Sequence, residues 1–327
     1  MRNINIIEIK EDDSGLRIDK WFKQKYPNAN FGYIHKLVRT GQIRLNGGRV
    51  KANIRIKKGD CLRIPPIIKT DVENSIIKIK NLLNDSEVRK LQDYIIFHDD
   101  NHLILNKPSG LSVQGGSKTR NHLDGMLDYL KLGNKERPRL VHRLDKYTTG
   151  VLILARNKKT AQFLTNCFIN KTIRKLYWAI TVGVPTPKAG VIELKISKKS
   201  SPLGEKMMID DINGKYSKSL YKVLDQSGSI SALVGMEPLT GRTHQLRVHL
   251  SNALGVPILG DGKYGGKEAY IDNKIGKSFC LHSRAVRIPI KDSNFIEVIA
   301  PAPKHLISVC KILGLEILPA FDNFLEI

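Results

Sequence analysis

The chain has 327 residues, 41% of them hydrophobic, enough to build one large domain or two ordinary ones around true cores. Its 54 lysines and arginines against 31 acidic residues leave a net charge of +23, which points to a polyanionic partner, nucleic acid before an anionic membrane surface. No apolar run reaches bilayer length, the opening MRNINIIEIKEDDSG has no signal-peptide pattern, and Cys61, Cys167, Cys280 and Cys310 show no paired spacing, so no membrane span, disulfide framework or zinc site is expected, and a cytoplasmic setting is.

Residues 1–14 read as a short strand, INIIEI, and an acidic turn. From Gly15 to Ile64 there are 13 lysines and arginines against Asp19 and Asp60 alone. Leu16, Ile18, Trp21 and Phe22 share one helix face, and Pro27 ends that helix. A second helix fits FGYIHKLVRT and stops at Gly41, followed by short strands with turns at Asn46-Gly47 and Gly59-Asp60. Residues 15–66 thus form a small basic domain, and 67–92 a linker with a short helix.

The large domain, 93–327, opens with two strands around Asp99-Asp100-Asn101 and a Pro-Ser-Gly loop. A helix fits about 119–132, and a further one KKTAQFLTNCFINKTI with Ala161, Leu164 and Phe168 inward. VLILA, KLYWAITVGV, FCLHSRAVRIPI and NFIEVIAPAP are strands, with Leu152 and Ile153 in the core. The polar stretch SKKSSPLGEKMMIDDINGK reads as a loop, disordered or in contact with RNA, and residues after Thr243 as a helix. Few segments alternate strand and helix as a parallel sheet requires. The expected class is α+β: a large mixed, mostly antiparallel sheet with peripheral helices, plus a small N-terminal α/β domain.

RIDKWF and FGYIHKLVRTGQIRLNGGRVKANIRIKKGDCLRI resemble the alpha-L RNA-binding motif. The resemblance implies a grip on structured RNA through Lys36, Arg39, Thr40, Gln42 and Arg44, with Lys51 beside them. Such a face makes phosphate contacts that position the RNA without reading its bases.

The stretch that organises the large domain is LVHRLDKYTTGVLILARN, where His142, Arg143 and Asp145 stand before a turn at Thr148-Thr149-Gly150 and a buried strand. Other polar groups lie in apolar surroundings: Tyr177; Arg242, His244, Gln245, Arg247 and His249 in TGRTHQLRVH; Asp261, Tyr264 and His282. A buried Arg247 needs an anionic partner, and Asp145 is the expected one. No metal-ligand spacing is present, GLSVQGG and GDGKYGG match no nucleotide-binding loop, and GxSxG is missing, so neither metal nor cofactor is expected.

Taken together, LNKPSGLSVQGG, HRLDKYTTG, KLYWA, TGRTHQLRVHL, GDGKYG and LHSRAVRI resemble the RluA/RluC/RluD family of pseudouridine synthases, over about 94–302. The KPSG form and domain order favour the RluC-type branch, whose substrate is several uridines of 23S ribosomal RNA, free or in assembling particles, by a monomer acting on neither DNA nor membranes. Thr149 replaces the family's usual serine, and Gln114 stands where the branch often has histidine. The resemblance implies that Asp145 is the catalytic nucleophile, that Arg247 pairs with it and that Tyr177 stacks on the flipped base. It also implies that Arg143 fills the space left by the extruded uridine, that His142 supports the loop, and that Lys107, Arg242 and His244 contact phosphate or support the site. Uracil would leave its ribose, rotate and rejoin through carbon 5, with Asp145 either attacking the sugar or serving a glycal-type intermediate. Three other readings are a noncatalytic RNA-binding or ribosome-assembly factor, a metal-dependent RNA hydrolase, and an RluD-type site specificity.

Overall fold

The strand-like runs from Ile95 onward pair laterally into one sheet. A computed structural model describes all residues except 1–4, 27–28, 30, 66–82, 116–121, 202–203, 273–274, 276, 291–293 and 326–327. The chain divides into two units, Met1–Ser86 and Glu87–Ile327. The expected linker, 67–92, falls mostly outside the described residues. Its end forms helix α3 (Asp85–Gln92), whose Leu91 is buried and whose Gln92 side chain donates to the Tyr129 carbonyl at 3.2 Å, within the second unit.

In the first unit, strands β1 (Asn5–Glu8), β2 (Arg44–Leu45) and β3 (Cys61–Ile64) form an antiparallel sheet in the order β1-β3-β2. Helices α1 (Ile18–Lys25) and α2 (Phe31–Arg39) bury Ile18, Trp21, Phe22, Ile34, Leu37 and Val38 against Ile43, Ile56 and Leu62. Burying each of these large side chains contributes about 1.5–3 kcal/mol, so a few dominate this small core. Lys36, Arg39, Gln42 and Lys51 are exposed. Thr40 is exposed too, and Arg44 is half-buried; the Thr40 hydroxyl donates to the Lys36 carbonyl at 2.9 Å, and Arg44 donates to the Gly41 and Gly47 carbonyls. At this helix end the Lys36 carbonyl accepts from both the Thr40 N–H and the Thr40 hydroxyl.

The second unit is built on an eleven-stranded sheet among the described residues, in the order β10-β9-β11-β12-β8-β13-β7-β5-β4, with β14 on β13 and β6 on β7. These are β4 (Ile95–His98), β5 (His102–Lys107), β6 (Arg139–Leu140), β7 (Thr149–Ala155), β8 (Arg174–Val182), β9 (Ala189–Ser201), β10 (Gly204–Ile209), β11 (Lys215–Ser227), β12 (Ser231–Pro238), β13 (Leu281–Pro289) and β14 (Phe295–Ile299). The β7–β13 pair is parallel and the other described pairs in this sheet are antiparallel, so the mixed, mostly antiparallel α+β class is what forms. VLILA occupies β7, buried along its whole length, with Leu152 and Ile153 in the core.

Two expectations need correction. Helix 119–132 is shorter: α4 (Leu123–Met126) passes into a 3-10 turn at Leu127–Leu130, and 116–121 lie outside the described residues. The polar stretch from Ser197 to Lys215 is no loop, because most of it extends β9 and forms β10. Lys198, Lys199 and Ser200 follow one another in solvent along this hairpin, which removes the apolar alternation that marks a half-buried strand. Helix α5 (Lys158–Ile169) packs as expected, whereas α7 (Lys304–Leu313), unread in the sequence, lays Leu306, Val309 and Cys310 on Trp178, Ile180 and Leu233.

Gly150 lies at φ +100° where β7 meets β13, and a Cβ there would stand 2.1 Å from the Ser283 carbonyl oxygen. Gly150→Ala is expected to cost at least about 3 kcal/mol, since it adds both a clash and a left-handed backbone penalty. A guanidinium unfolding midpoint equal to that of the unaltered chain would contradict this.

Candidate active site

Asp145 stands on the loop between β6 and β7, and neighbouring bonds hold that loop on both sides. His142 turns its Nε2 inward to accept the Ile153 N–H at 2.8 Å, with its ring stacked on Phe168. Burial pushes the His142 pKa down to about 3, so the ring is the neutral acceptor this bond needs. The Lys146 carbonyl accepts from the Gly110 N–H and from the Lys107 ammonium, each at 3.0 Å. Leu144 is buried beneath, leaving the Asp145 side chain 26% exposed at a cavity of about 560 Å³.

The opposite wall comes from the segment after β12. Gln245 is buried and fully bonded: its carbonyl accepts from the Thr240 hydroxyl and the Arg242 N–H, and its amide donates to the Lys218 carbonyl and the Ser219 hydroxyl. This pins His244 at φ +54°, just before the short helix α6 (Gln245–Val248), so the expected helix starts one residue past His244 and continues as a π-turn at His249–Ala253. From there His244 Nε2 lies 3.5 Å from an Asp145 oxygen, while its Nδ1 meets the Tyr264 hydroxyl at 2.7 Å.

Arg247 also faces Asp145, at 3.6 Å, but its two hydrogen bonds go elsewhere. Its Nε and Nη2 donate side by side to both oxygens of buried Asp261, at 2.7 and 2.6 Å. The expected Arg247–Asp145 pair is therefore the outer contact of a pair centred on Asp261. Gly260 makes this possible: at φ +82°, with the Ser278 carbonyl only 2.3 Å from where a Cβ would sit, it lets the chain turn tightly and aim the next carboxylate at the guanidinium fork. Burial works against the Arg247 charge, but Asp261, and then Asp145, outweigh it and hold the pKa above its ordinary value. The rings of Tyr264 and Phe279 cover the guanidinium, at 4.8 and 5.1 Å.

Tyr177 comes to the same cavity from β8. The residues Gly150, Ser283 and Tyr177 pair across three neighbouring strands. Burial raises the Tyr177 pKa to about 12, with Asp145 adding to the effect and the Ser283 hydrogen bond opposing it, so the hydroxyl keeps its proton. Two residues before it on the same strand face, Lys175 also lines the cavity, its pKa lowered by burial to about 8 against the pull of Glu237. One cavity thus joins a carboxylate, a fixed cation, a neutral imidazole and a protonated phenol. Among the described residues, no three His, Cys, Asp or Glu side chains gather where they could hold a metal ion.

A family model described as RNA pseudouridylate synthase matches residues 101–252. The ribosomal large subunit pseudouridine synthase C of Rickettsia typhi is 38% identical over 257 residues, spanning 77% of this chain and 83% of that protein. The chain belongs to the RluA/RluC family of RNA pseudouridine synthases. The synthase of the same name from Vibrio cholerae is 32% identical over 93% of this chain and 95% of its own length. The solved structure of human RNA pseudouridylate synthase domain containing 4 superposes with a TM-score of 0.60 at 32% identity, covering 71% of this chain and 97% of that one.

The other expected site residues of this synthase separate by position. Arg143 is exposed at the rim and donates to the Gln114 side-chain oxygen Oε1 at 3.4 Å, so Gln114 is its neighbour in the structure. Arg242 donates to the Tyr216 carbonyl at 2.9 Å. Lys107 is not available to phosphate: it is fully buried and its Nζ donates to the Pro108, Leu111 and Lys146 carbonyls at 2.9–3.0 Å. Burial lowers its pKa to about 7, with Asp145 pulling the other way, and only the ammonium form has a hydrogen for each of the three carbonyls. Thr149 directs its hydroxyl at His282 Nδ1, 2.9 Å away, while His282 Nε2 faces the Ala300 carbonyl. The sequence marks Asp261 and Tyr264 only as polar groups in apolar surroundings and does not single out Lys175 or Ser283. The unmet charge of Arg247 was the signal for Asp261, and the strand period shared with Tyr177 was the signal for Lys175.

His249 and His282 are fully buried, and burial pushes each pKa to about 4. Between their unfolded value near 6.5 and that folded value, the unfolded chain binds protons the folded chain does not, so stability falls as the pH is lowered through this window. Going from neutrality to near pH 5 is expected to cost at most about 2 kcal/mol for each ring. Urea unfolding followed through Trp178 in a Trp21→Phe background would read this, and equal stability at both pH values would contradict it.

Proposed function

We propose that this synthase converts specific uridines of large-subunit ribosomal RNA to pseudouridine, with Asp145 as the group that acts on the sugar. The observation that carries the assignment is Asp145 itself: a half-buried carboxylate at the cavity, faced by Arg247 and His244 and opposite a protonated Tyr177. An aspartate so placed is held oriented toward an incoming ribose. It attacks the sugar, or serves a glycal-type intermediate, while uracil detaches, turns and rejoins through carbon 5. Composition is unchanged, so no atom or electron is drawn from a co-substrate. Tyr177 stacks on the extruded base, and Arg143, exposed at the rim, enters the gap the base leaves. Extrusion costs a few kcal/mol, which basic contacts offset.

The names of the relatives, ribosomal large subunit pseudouridine synthase C in both Rickettsia and Vibrio, support large-subunit RNA as the substrate, free or in assembling particles in the cytoplasm. The gathering of Asp145, Tyr177 and Arg247 within one chain supports action as a monomer. The N-terminal unit serves as the RNA-holding domain through exposed Lys36, Arg39, Gln42 and Lys51, with Thr40 and Arg44 shaping the turn that carries them.

Pseudouridine mapping of ribosomal RNA from cells with and without the gene tests this reading. Modification is expected to vanish at particular large-subunit uridines and to return with the unaltered chain but not with Asp145→Asn. Restoration by Asp145→Asn would overturn the role of Asp145, and no loss at any ribosomal uridine would overturn the substrate. A chain lacking residues 1–66 is expected to bind this RNA more weakly and with a shallower salt dependence. An unchanged salt slope would remove the N-terminal unit from RNA binding.

A further inference from the structure

His244 lies between two partners, and the hydrogen-bond directions around it leave little freedom. The Met207 backbone N–H on β10 meets the Tyr264 hydroxyl oxygen at 3.1 Å, and an N–H can only donate. Among the described residues, the remaining partner of that hydroxyl is His244 Nδ1 at 2.7 Å, so the phenolic hydrogen points there. An Nδ1 that accepts leaves the ring hydrogen of a neutral imidazole on Nε2, which faces the Asp145 oxygen at 3.5 Å. The reverse tautomer would set an imidazole lone pair against a carboxylate.

We infer that Tyr264, itself oriented by Met207, is a positioning residue that holds His244 in the Nε2–H tautomer, and that His244 donates this hydrogen to Asp145. This rests on the reading of Asp145 as the acting carboxylate. Arg247 has Nε and Nη2 committed to Asp261 and turns Nη1 toward Asp145 at 3.6 Å, so His244 adds a second donor, from another direction, to the same carboxylate. Four charged groups bear on the ring: Asp145 and Asp261 favour its protonation, and Arg247 and Lys263 oppose it. Burial is the largest influence, and the balance keeps the His244 pKa below its ordinary value, hence the ring neutral near pH 7. In acid a second ring hydrogen at Nδ1 would displace the phenolic hydrogen of Tyr264, and the chain of donors would lose its direction.

The test is nitrogen NMR of the full chain labelled with 15N-histidine, with the His244 signals assigned by their loss in His244→Gln. At neutral pH, His244 is expected to show a protonated Nε2 and an unprotonated Nδ1, and Tyr264→Phe to turn this into a mixture of tautomers. A protonated Nδ1 in the unaltered chain, or a tautomer unaffected by Tyr264→Phe, would overturn the inference. Kinetics supply the second arm, with a transcript of unmodified large-subunit ribosomal RNA as probe. Tyr264→Phe is expected to lower the single-turnover rate about tenfold to a hundredfold with little change in RNA affinity. His244→Gln, which can present an amide N–H where Nε2 was, should retain more of the rate than His244→Leu; equal losses would overturn the donor role. Should the reading of Asp145 itself be wrong, Asp145→Asn would turn over normally while the tautomer result stood unchanged.

Discussion

Three central strands of the catalytic unit meet along one line of residues, Gly150, Ser283 and Tyr177, and the site is arranged from that line. β7 and β13 run parallel there, and a side chain at position 150 would collide with the backbone of Ser283. The glycine lets the strand beginning just after the Asp145 loop lie flush against β13. On the other side of β13, the same register sets Tyr177 opposite Ser283. Carboxylate and phenol, distant in sequence, therefore owe their shared cavity to backbone pairing, which is more rigid than any side-chain contact between them.

Around this frame, buried charge is balanced locally. Arg247 is matched by Asp261, the Lys107 ammonium by three carbonyls, and the histidines at 142, 249 and 282 are held neutral by burial. Unpaired charge in a cavity of this kind would cost several kcal/mol. The large positive excess of the chain therefore does different work from the charges at the centre. Between Gly15 and Ile64, basic residues outnumber acidic ones 13 to two, and the exposed members among them carry charge that salt screens. At the cavity, orientation matters more than sum. Asp145 lies within 3.6 Å of two donor-bearing groups, each fixed from behind by a partner of its own.

Much of the fold was legible where one face is apolar. VLILA, KLYWAITV and the late strands could be read because their burial left a run or alternation of apolar residues, and α1 and α5 because theirs left a helical stripe. The β9–β10 hairpin was not legible for the opposite reason: Lys198, Lys199, Glu205 and Lys206 lie on a strand pair with much of its surface in solvent, and such a composition also suits a loop. α7 was overlooked although its signals are local. Pro303 precedes it, Leu306, Val309 and Cys310 share a face, and Gly314 closes it at φ +67°.

The sequence by itself determined the large mixed sheet, the buried strand after HRLD, and the resemblance that singled out Asp145, Tyr177 and Arg247, because these lie in short contiguous patterns. It could not decide which carboxylate takes Arg247, that Lys107 is spent on carbonyls, or that His244 faces Asp145 from a left-handed backbone position. Such pairings depend on how closely segments far apart in the chain approach, and on which of several chemically equivalent partners arrives at the correct angle. Asp145 and Asp261 carry the same side chain. Only the tight turn at Gly260 and the loop held at Lys146 make one the anchor of the guanidinium and leave the other open to the cavity.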